Sequence, residues 1–372
     1  MKAIAVFPES KDVCLIDHDE PAITGPTQVK LRSVEIGICG TDREICSFHY
    51  GFPPRGSKHL VIGHEMLGEV VATGADVRGL RRGDLVIPLV RRPCMHDWCV
   101  ACRSGRQDFC YSGAFTERGI KEMHGFMGEF VVDDEAFMVK VPADLREVAV
   151  LVEPLTIAEK ALIQLRDVQK RLPWTCPVMS QELGIEHQCH RAVVLGAGPV
   201  GLLGAMAMRA AGFETWVYSR ERGPSLKSDI VASIGATYVS SEETTVDELA
   251  AMVGNIDVVY EAVGASSLAF KVLEVLGTNG VFVMTGVPGR HGPIEVDADL
   301  LMRNLVLKNQ VLLGTVNAGR DAFEAAIADL RRFMRHWPDA VRALFTNRLP
   351  IEAAPAKLRD GRGSIKDVIC HA

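Results

Sequence analysis

The chain has 372 residues, 48% of them hydrophobic and 24% charged, and carries a formal net charge of −6. That length suggests two domains or one large one, and that composition belongs to a globular chain rather than a disordered or collagen-like one. A pI of about 6.0 offers nucleic acid no basic footprint, and no run approaches the ~18 apolar residues of a membrane span.

Taken in order, residues 1 to about 150 read as strand-rich. The start, Met1–Pro8, is too short and too soon interrupted for an export signal, and reads as a first strand. Val29–Ile36 alternates at period two, as a half-buried strand does. After them, Gly37-Ile38-Cys39-Gly40-Thr41-Asp42 and Gly63-His64-Glu65 place a thiolate, an imidazole and a carboxylate in glycine-flanked turns. These are the ligand types Zn²⁺ takes when one coordination position stays open for substrate or water. The glycines are expected to supply the positive φ that backbone folded around a metal needs. The competing reading is a buried cysteine and a satisfied core histidine.

Leu67–Gly74, Asp84–Pro88, Gly128–Val132 and Phe137–Pro142 are further short apolar runs closed by turn residues. The basic clusters Arg78–Arg82 and Arg91-Arg92 read as solvated turns. Of ten cysteines, Cys94, Cys99, Cys102 and Cys110 crowd into one loop. Without an export signal, such a local cluster points to a closed structural zinc site rather than a disulfide framework, and to the cytoplasm. His96 and Asp97 are alternative ligands within it, and a set of plain reduced thiols is the bland reading.

A helix is expected over Val150–Val168, starting just after Pro154, and then an irregular connection over 170–190. From Arg191 strands and helices alternate, with strands at Ala192–Leu195, Thr215–Tyr218, Ile256–Tyr260, Gly280–Met284 and Leu305–Leu313. That pattern means a parallel sheet covered on both faces. Gly196-Ala197-Gly198-Pro199-Val200-Gly201 follows the first of these strands and opens a helix, which makes it a dinucleotide fingerprint rather than a chance match. An NAD-specific chain would carry Asp or Glu at the end of the second strand. This one carries Ser219-Arg220-Glu221-Arg222. Ser219 is small and uncharged, and Arg220 and Arg222 can hold a phosphate, so NADP is expected. Glu221 leaves NAD open, since it can turn inward to a ribose hydroxyl.

Together these motifs resemble the zinc-dependent medium-chain dehydrogenase/reductase superfamily. Gly37–Ile45, Arg91-Arg92-Pro93, Gly105–Cys110, Glu117–Ile120, Gly125-Phe126-Met127 and Glu153-Pro154-Leu155 are similar to the archaeal type of glucose 1-dehydrogenase. The resemblance implies an α/β chain with a GroES-like, mostly-β catalytic domain at 1–189 and 316–372. A metal lobe at about 91–115 belongs to it, and a Rossmann dinucleotide-binding domain lies at 190–315. It implies that Cys39 and His64 bind a catalytic zinc, that Glu65 binds it directly or through water, and that Glu153 supplies a further carboxylate to metal or substrate. It implies that Thr41 passes the substrate proton outward and that Glu117 and Asn317 bind sugar hydroxyls. The activity implied is oxidation of an aldose at C1 with hydride transfer to NADP, in a homotetramer or homodimer with no membrane or nucleic-acid partner. Two departures stand out. The C-x4-C gap leaves Cys94 open as the first structural ligand, and Val90 stands where some relatives carry a polar residue. A zinc polyol, threonine or alcohol dehydrogenase is the alternative, and a non-catalytic nucleotide-binding protein a more distant one.

Overall fold

The computed structural model describes residues 1–173, 190–289, 292–360 and 363–371. Most of the expected connection at 170–190, with Cys176 and Cys189, lies outside the described residues. Strands β1 (Lys2–Phe7), β2 (Asp12–Asp17), β3 (Gln28–Ile38), β4 (Leu60–Val61), β5 (Glu65–Thr73), β6 (Leu85–Pro88), β7 (Arg91–Arg92), β8 (Thr116–Arg118), β9 (Glu122–Met123), β10 (Phe130–Asp134) and β11 (Met138–Val141) follow one another, interrupted by the short helices α1 (Gly40–Cys46) and α2 (Val100–Arg103). They form a small sheet ordered β2-β1-β4, another ordered β7-β8-β9, and the larger part of a seven-stranded sheet. In β3 burial alternates at first and then runs unbroken from Ser33 to Ile38. Ile4, Leu31, Ile36, Met66, Val86 and Phe126 are fully buried at the centre of this core.

Helix α3 (Val152–Gln169) leads to β12 (Arg191–Leu195), α4 (Pro199–Ala210), β13 (Glu214–Ser219), α5 (Leu226–Ser233), β14 (Thr237–Ser240), α6 (Val246–Val253), β15 (Val258–Glu261), α7 (Ser266–Glu274), β16 (Val281–Met284), α8 (Ala298–Leu307) and β17 (Val311–Gly314). All six strands are parallel, in the order β14-β13-β12-β15-β16-β17. The order reverses between β12 and β15, the switch point of a Rossmann sheet. Two readings of the sequence change here. Thr237–Ser240 is too short a pattern to be seen as a strand, and the expected strand Leu305–Leu313 divides. Leu305-Val306-Leu307 ends α8, Asn309 turns the chain at φ 50°, and only then does β17 begin. Val306 and Leu307 are exposed, so their apolar run signals no buried strand.

The chain then returns through α9 (Arg320–His336), and β18 (Phe345–Pro350) and β19 (Lys366–Cys370) complete the seven-stranded sheet in the order β11-β6-β5-β3-β19-β18, with β10 also on β3. Two compact units result: Met1–Glu153 with Asn317–Leu330 and Leu344–Ala372, and Pro154–Val316 with Arg331–Ala343. Helix α3 falls mainly to the second unit because its side chains bond there. Lys160 donates to the Val316 carbonyl at 3.0 Å, Gln164 to Thr315 Oγ1 at 3.1 Å and Gln169 to the Asn279 carbonyl at 3.1 Å.

Arg91 and Arg92 are buried, not solvated, at 6% exposure each; Arg78, Arg81 and Arg82 are exposed, as expected. Arg92 forms a close salt bridge with Asp133, which Arg118 also joins with Nε at 2.9 Å. Burial alone would raise the Asp133 carboxyl, but the Arg118 and Arg92 charges outweigh it and hold it below its ordinary range. A group with a lowered folded pKa adds stability above its unfolded value and loses it as pH falls. Asp133 should therefore contribute fully above pH 3.8 and progressively less below it. Asp133→Ala, which strands two buried guanidinium groups, should cost about 3–5 kcal/mol in urea unfolding at pH 7. A loss within error would mean that the network is not buried in solution.

Candidate active site

Strand β3 carries Cys39 to the start of α1 with an extended backbone, φ −101° and ψ 163°. The Cys39 amide donates to Asp42 Oδ2 at 2.8 Å, which satisfies one of the helix's orphan donors and fixes Asp42 beneath the turn. Asp42 is fully buried. Its other oxygen, Oδ1, lies 3.3 Å from His64 Nδ1. A carboxylate on one ring nitrogen orients a histidine so that the other can serve as a ligand.

Strand pairing brings the remaining groups together. Register sets Gly37 opposite Glu65 on β5 and opposite Val368 on β19. Glu65 forms a close salt bridge with Lys366, which also donates to the Ile38 carbonyl at 3.2 Å; both side chains are 1% exposed. A Cβ on Gly37 would run into Glu65 Oε2 and come within 2.8 Å of Lys366 Cε. So Gly37 supplies room rather than positive φ. Gly63, with φ 92°, is the one that supplies conformation. Lys366 is absent from the expected site. Its signal in the sequence is a Lys-Asp pair set inside the apolar run Ile365–Ile369.

One ligand atom each from Cys39, His64 and Glu65 lies within 4.8 Å of the others. A soft thiolate, an imidazole and a carboxylate so spaced, two of them buried, suit a single zinc-sized cation with a position left open. Burial opposes charge on His64, but Asp42 and Cys39 outweigh it and hold the imidazolium well above its usual range. Glu153, buried at the start of α3, is pushed up to about 7 by burial, against the pull of His64 and with a further push from Glu65. Thr41 sits in the first turn of α1, partly exposed.

Glu117 and Asn317 do meet. Asn317 Nδ2 donates to Glu117 Oε1 at 3.2 Å, and Arg91 grips the same carboxylate through Nε at 3.0 Å and Nη2 at 2.9 Å. Glu117 is 5% exposed, so it is no surface carboxylate. Arg91, whose guanidinium lies 3.6 Å from the centre of the Phe115 ring, is the missed partner that orients it. The Tyr50 phenol is raised by burial, with Glu117 raising it further and His64 lowering it.

The sulfurs of Cys94, Cys99, Cys102 and Cys110 also lie within 4.8 Å of one another, and Cys99 and Cys110 are 3.9 Å apart. A tetrahedral ion with Zn–S bonds of about 2.3 Å separates its sulfurs by about 3.8 Å. Cys94 therefore stands within the set, while His96 and Asp97 are exposed. Hydrogen bonding from the Cys102 backbone brings the Cys99 thiol down to about 6.

In the second unit Gly196 turns at φ 98°, and Pro199 opens α4 behind Gly198. A Cβ on Gly201 would strike the Gly196 carbonyl, whereas one on Gly198 would meet nothing within 4 Å. Gly201 thus serves helix–strand packing, and Gly198 leaves open the approach that a pyrophosphate needs at the helix N-terminus, with Val200 in its first turn. Ser219 ends β13, and Arg220 and Arg222 follow it, exposed. Glu221 pairs with Lys227 at 2.7 Å.

Residues 25–143 match the alcohol dehydrogenase GroES-like domain and residues 146–370 the glucose dehydrogenase C-terminus. The chain is 38% identical to a glucose 1-dehydrogenase of Methanocella arvoryzae over 370 residues, 99% of each chain. It is 37% identical to that of Thermoproteus tenax over 362 residues, 95% of this chain and 94% of the relative. It aligns with Haloferax mediterranei glucose dehydrogenase, solved in complex with NADP, Zn and gluconolactone, at a TM-score of 0.89 and 32% identity, covering 100% of this chain and 99% of that one.

Because His64 is protonated near neutral pH without metal, an incoming cation must expel a proton. Calorimetric titration of the metal-free protein with zinc at pH 7, in two buffers of different ionisation enthalpy, should show at least one proton released per ion at this centre. Binding with no net release would contradict the electrostatics described.

Proposed function

Since the chain belongs to the glucose dehydrogenase family of zinc-dependent medium-chain dehydrogenases, we propose that it oxidises an aldose, glucose or a close relative, at C1 to the aldonolactone with NADP as acceptor. The observation that carries this reading is the gathering of one ligand atom each from Cys39, His64 and Glu65 within 4.8 Å of one another, in the unit that also holds the hydrogen-bonded Glu117–Asn317 pair. Zinc held by Cys39, His64 and Glu65, with Glu153 as a further carboxylate, would supply a Lewis acid that lowers the pKa of the sugar's C1 hydroxyl. NADP would supply the hydride acceptor.

The remaining work falls to side chains. Asp42 holds the His64 ring, and Lys366 holds Glu65, so neither ligand has to be ordered when substrate arrives. Thr41 Oγ1 takes the proton leaving the C1 hydroxyl and passes it outward. Arg91 and Asn317 fix Glu117 with lone pairs still to offer, as suits a carboxylate that reads hydroxyl groups. A site built to bond a hydroxyl rejects an analogue lacking it far better than an apolar pocket rejects an extra methylene. On the cofactor side, Lys227 draws Glu221 away from the role that would favour NAD. Arg220, and Arg222 on exchanging its exposed contacts with Glu242 and Glu243 at 3.8 and 3.9 Å, can then meet a 2′-phosphate. Residues 190–315 would form the nucleotide domain and the rest the catalytic one, with the four cysteines holding a structural zinc. The chain would assemble as a homotetramer or homodimer. Edge strand β17 and α8 support this, since Leu312, Met302, Val306 and Leu307 there are exposed.

Cys39→Ser should abolish turnover while NADPH affinity stays unchanged; near-normal activity in a variant shown to lack that metal would reject the zinc role. Arg220→Ala/Arg222→Ala should raise KM for NADP about tenfold or more, at the scale of charge-assisted hydrogen bonds, and leave KM for NAD as it was. A kcat/KM that favours NAD in the unaltered protein would reject the cofactor reading. A panel of glucose, galactose, xylose, sorbitol, threonine and ethanol tests the substrate. Preference for sorbitol, threonine or ethanol would move the chain to the alternative zinc dehydrogenases.

A further inference from the structure

Three histidines outside both metal centres point at one another. His18 follows β2, His59 precedes β4, and His124 follows β9. One ring nitrogen from each lies within 4.8 Å of the others. His59 and His124 stack at 5.1 Å with 22° between their planes, and His18 stands edge-on to them at 5.4 and 5.0 Å. The scaffold beneath is tied down. Leu60 and Val61, next to His59, pair with β1, and the His59 ring lies 5.4 Å from that of Phe7. The His124 carbonyl accepts from Arg118 Nη1 at 3.1 Å, and Arg118 is itself locked by Asp133.

Nothing in the reaction uses these rings, and their packing leaves a ring nitrogen stranded. His59 Nε2 is buried and has no hydrogen-bond partner. Native structures rarely leave such an atom unsatisfied without a reason. Burial and the neighbouring rings push His124 down to about 4, and burial and His18 lower His59. Both are therefore neutral at pH 7 and have lone pairs to give.

We propose that His18, His59 and His124 form a third metal site, which takes a borderline divalent cation such as Zn²⁺, Co²⁺ or Ni²⁺ through imidazole nitrogens alone. Three imidazole nitrogens satisfy the ligand preference of these ions and leave a fourth position to water. All three side chains are partly exposed, so the ion can reach them from solvent. Bound there, it ties together the end of β2, the start of β4 and the turn after β9. One contact sets the strength. The Val61 amide donates to His124 Nδ1 at 3.1 Å, so the neutral ring keeps its proton on Nε2. Coordination through Nδ1 displaces that amide, and coordination through Nε2 moves the proton to Nδ1, where the amide can no longer donate. Either way the Val61 bond is lost. The site should therefore be weaker than the four-thiolate cluster, and the Val61 amide should report its occupancy.

The test starts from the zinc-loaded enzyme, with both cysteine-containing centres filled. Equilibrium dialysis against rising free Zn²⁺, followed by metal quantification, should show one further zinc per chain. His59→Gln/His124→Gln should lose that equivalent while thermal melting still shows a folded protein. With Co²⁺ as the added ion, the extra equivalent should bring ligand-field absorption without the thiolate charge-transfer band. In the unaltered protein it should shift the Val61 amide resonance. No extra equivalent, an equal one in the double variant, or binding that leaves Val61 unmoved would each overturn the proposal in favour of aromatic packing alone. None of these readouts depends on which sugar or cofactor the enzyme uses.

Discussion

The first unit is built around a carboxylate that cannot be left alone. Glu65 is buried, and the antiparallel register of β3 with β5 and β19 sets Lys366 against it across Gly37. A buried ion pair of this kind seldom stabilises a protein more than well-packed apolar groups would, whereas either partner without the other is strongly destabilising. Its value lies in placement. Lys366 and Asp42 each hold one side chain of the Cys39–His64–Glu65 cluster from behind, so the cluster is ordered by the protein alone. Gly37 makes this possible by having no side chain where those two meet.

The same economy of contacts recurs around Glu117. Glu117, Arg91 and Asn317 come from two strands and a turn some 200 residues on, yet they form one hydrogen-bonded group. The adjoining buried cluster of Arg92, Arg118 and Asp133 anchors the strands that carry it. What reads locally as a pair of surface arginines is therefore two buried anchors, one on Glu117 and one on Asp133.

The cysteine lobe shows the opposite solution. Its interior holds Cys94, Cys99, Cys102 and Ala101, with no large aliphatic side chain, while Met95, Trp98, Val100 and Tyr111 are exposed. So small a segment cannot bury enough apolar surface to order itself, and metal ligation can supply the missing free energy.

The amino-acid sequence by itself determined the donor types at Cys39, His64 and Glu65, the four-cysteine loop, the glycine fingerprint at Gly196–Gly201 and the alternation of strands and helices from Arg191. Each is a local pattern, written in spacing that the backbone converts directly into geometry. Only the tertiary structure decided that Lys366 meets Glu65, that Asp42 backs His64, that Arg91 and Arg92 are buried, and that His18, His59 and His124 converge. These groups are brought together by strand register and long returns of the chain, and a register is fixed by the summed packing of two faces rather than by any single stretch of residues.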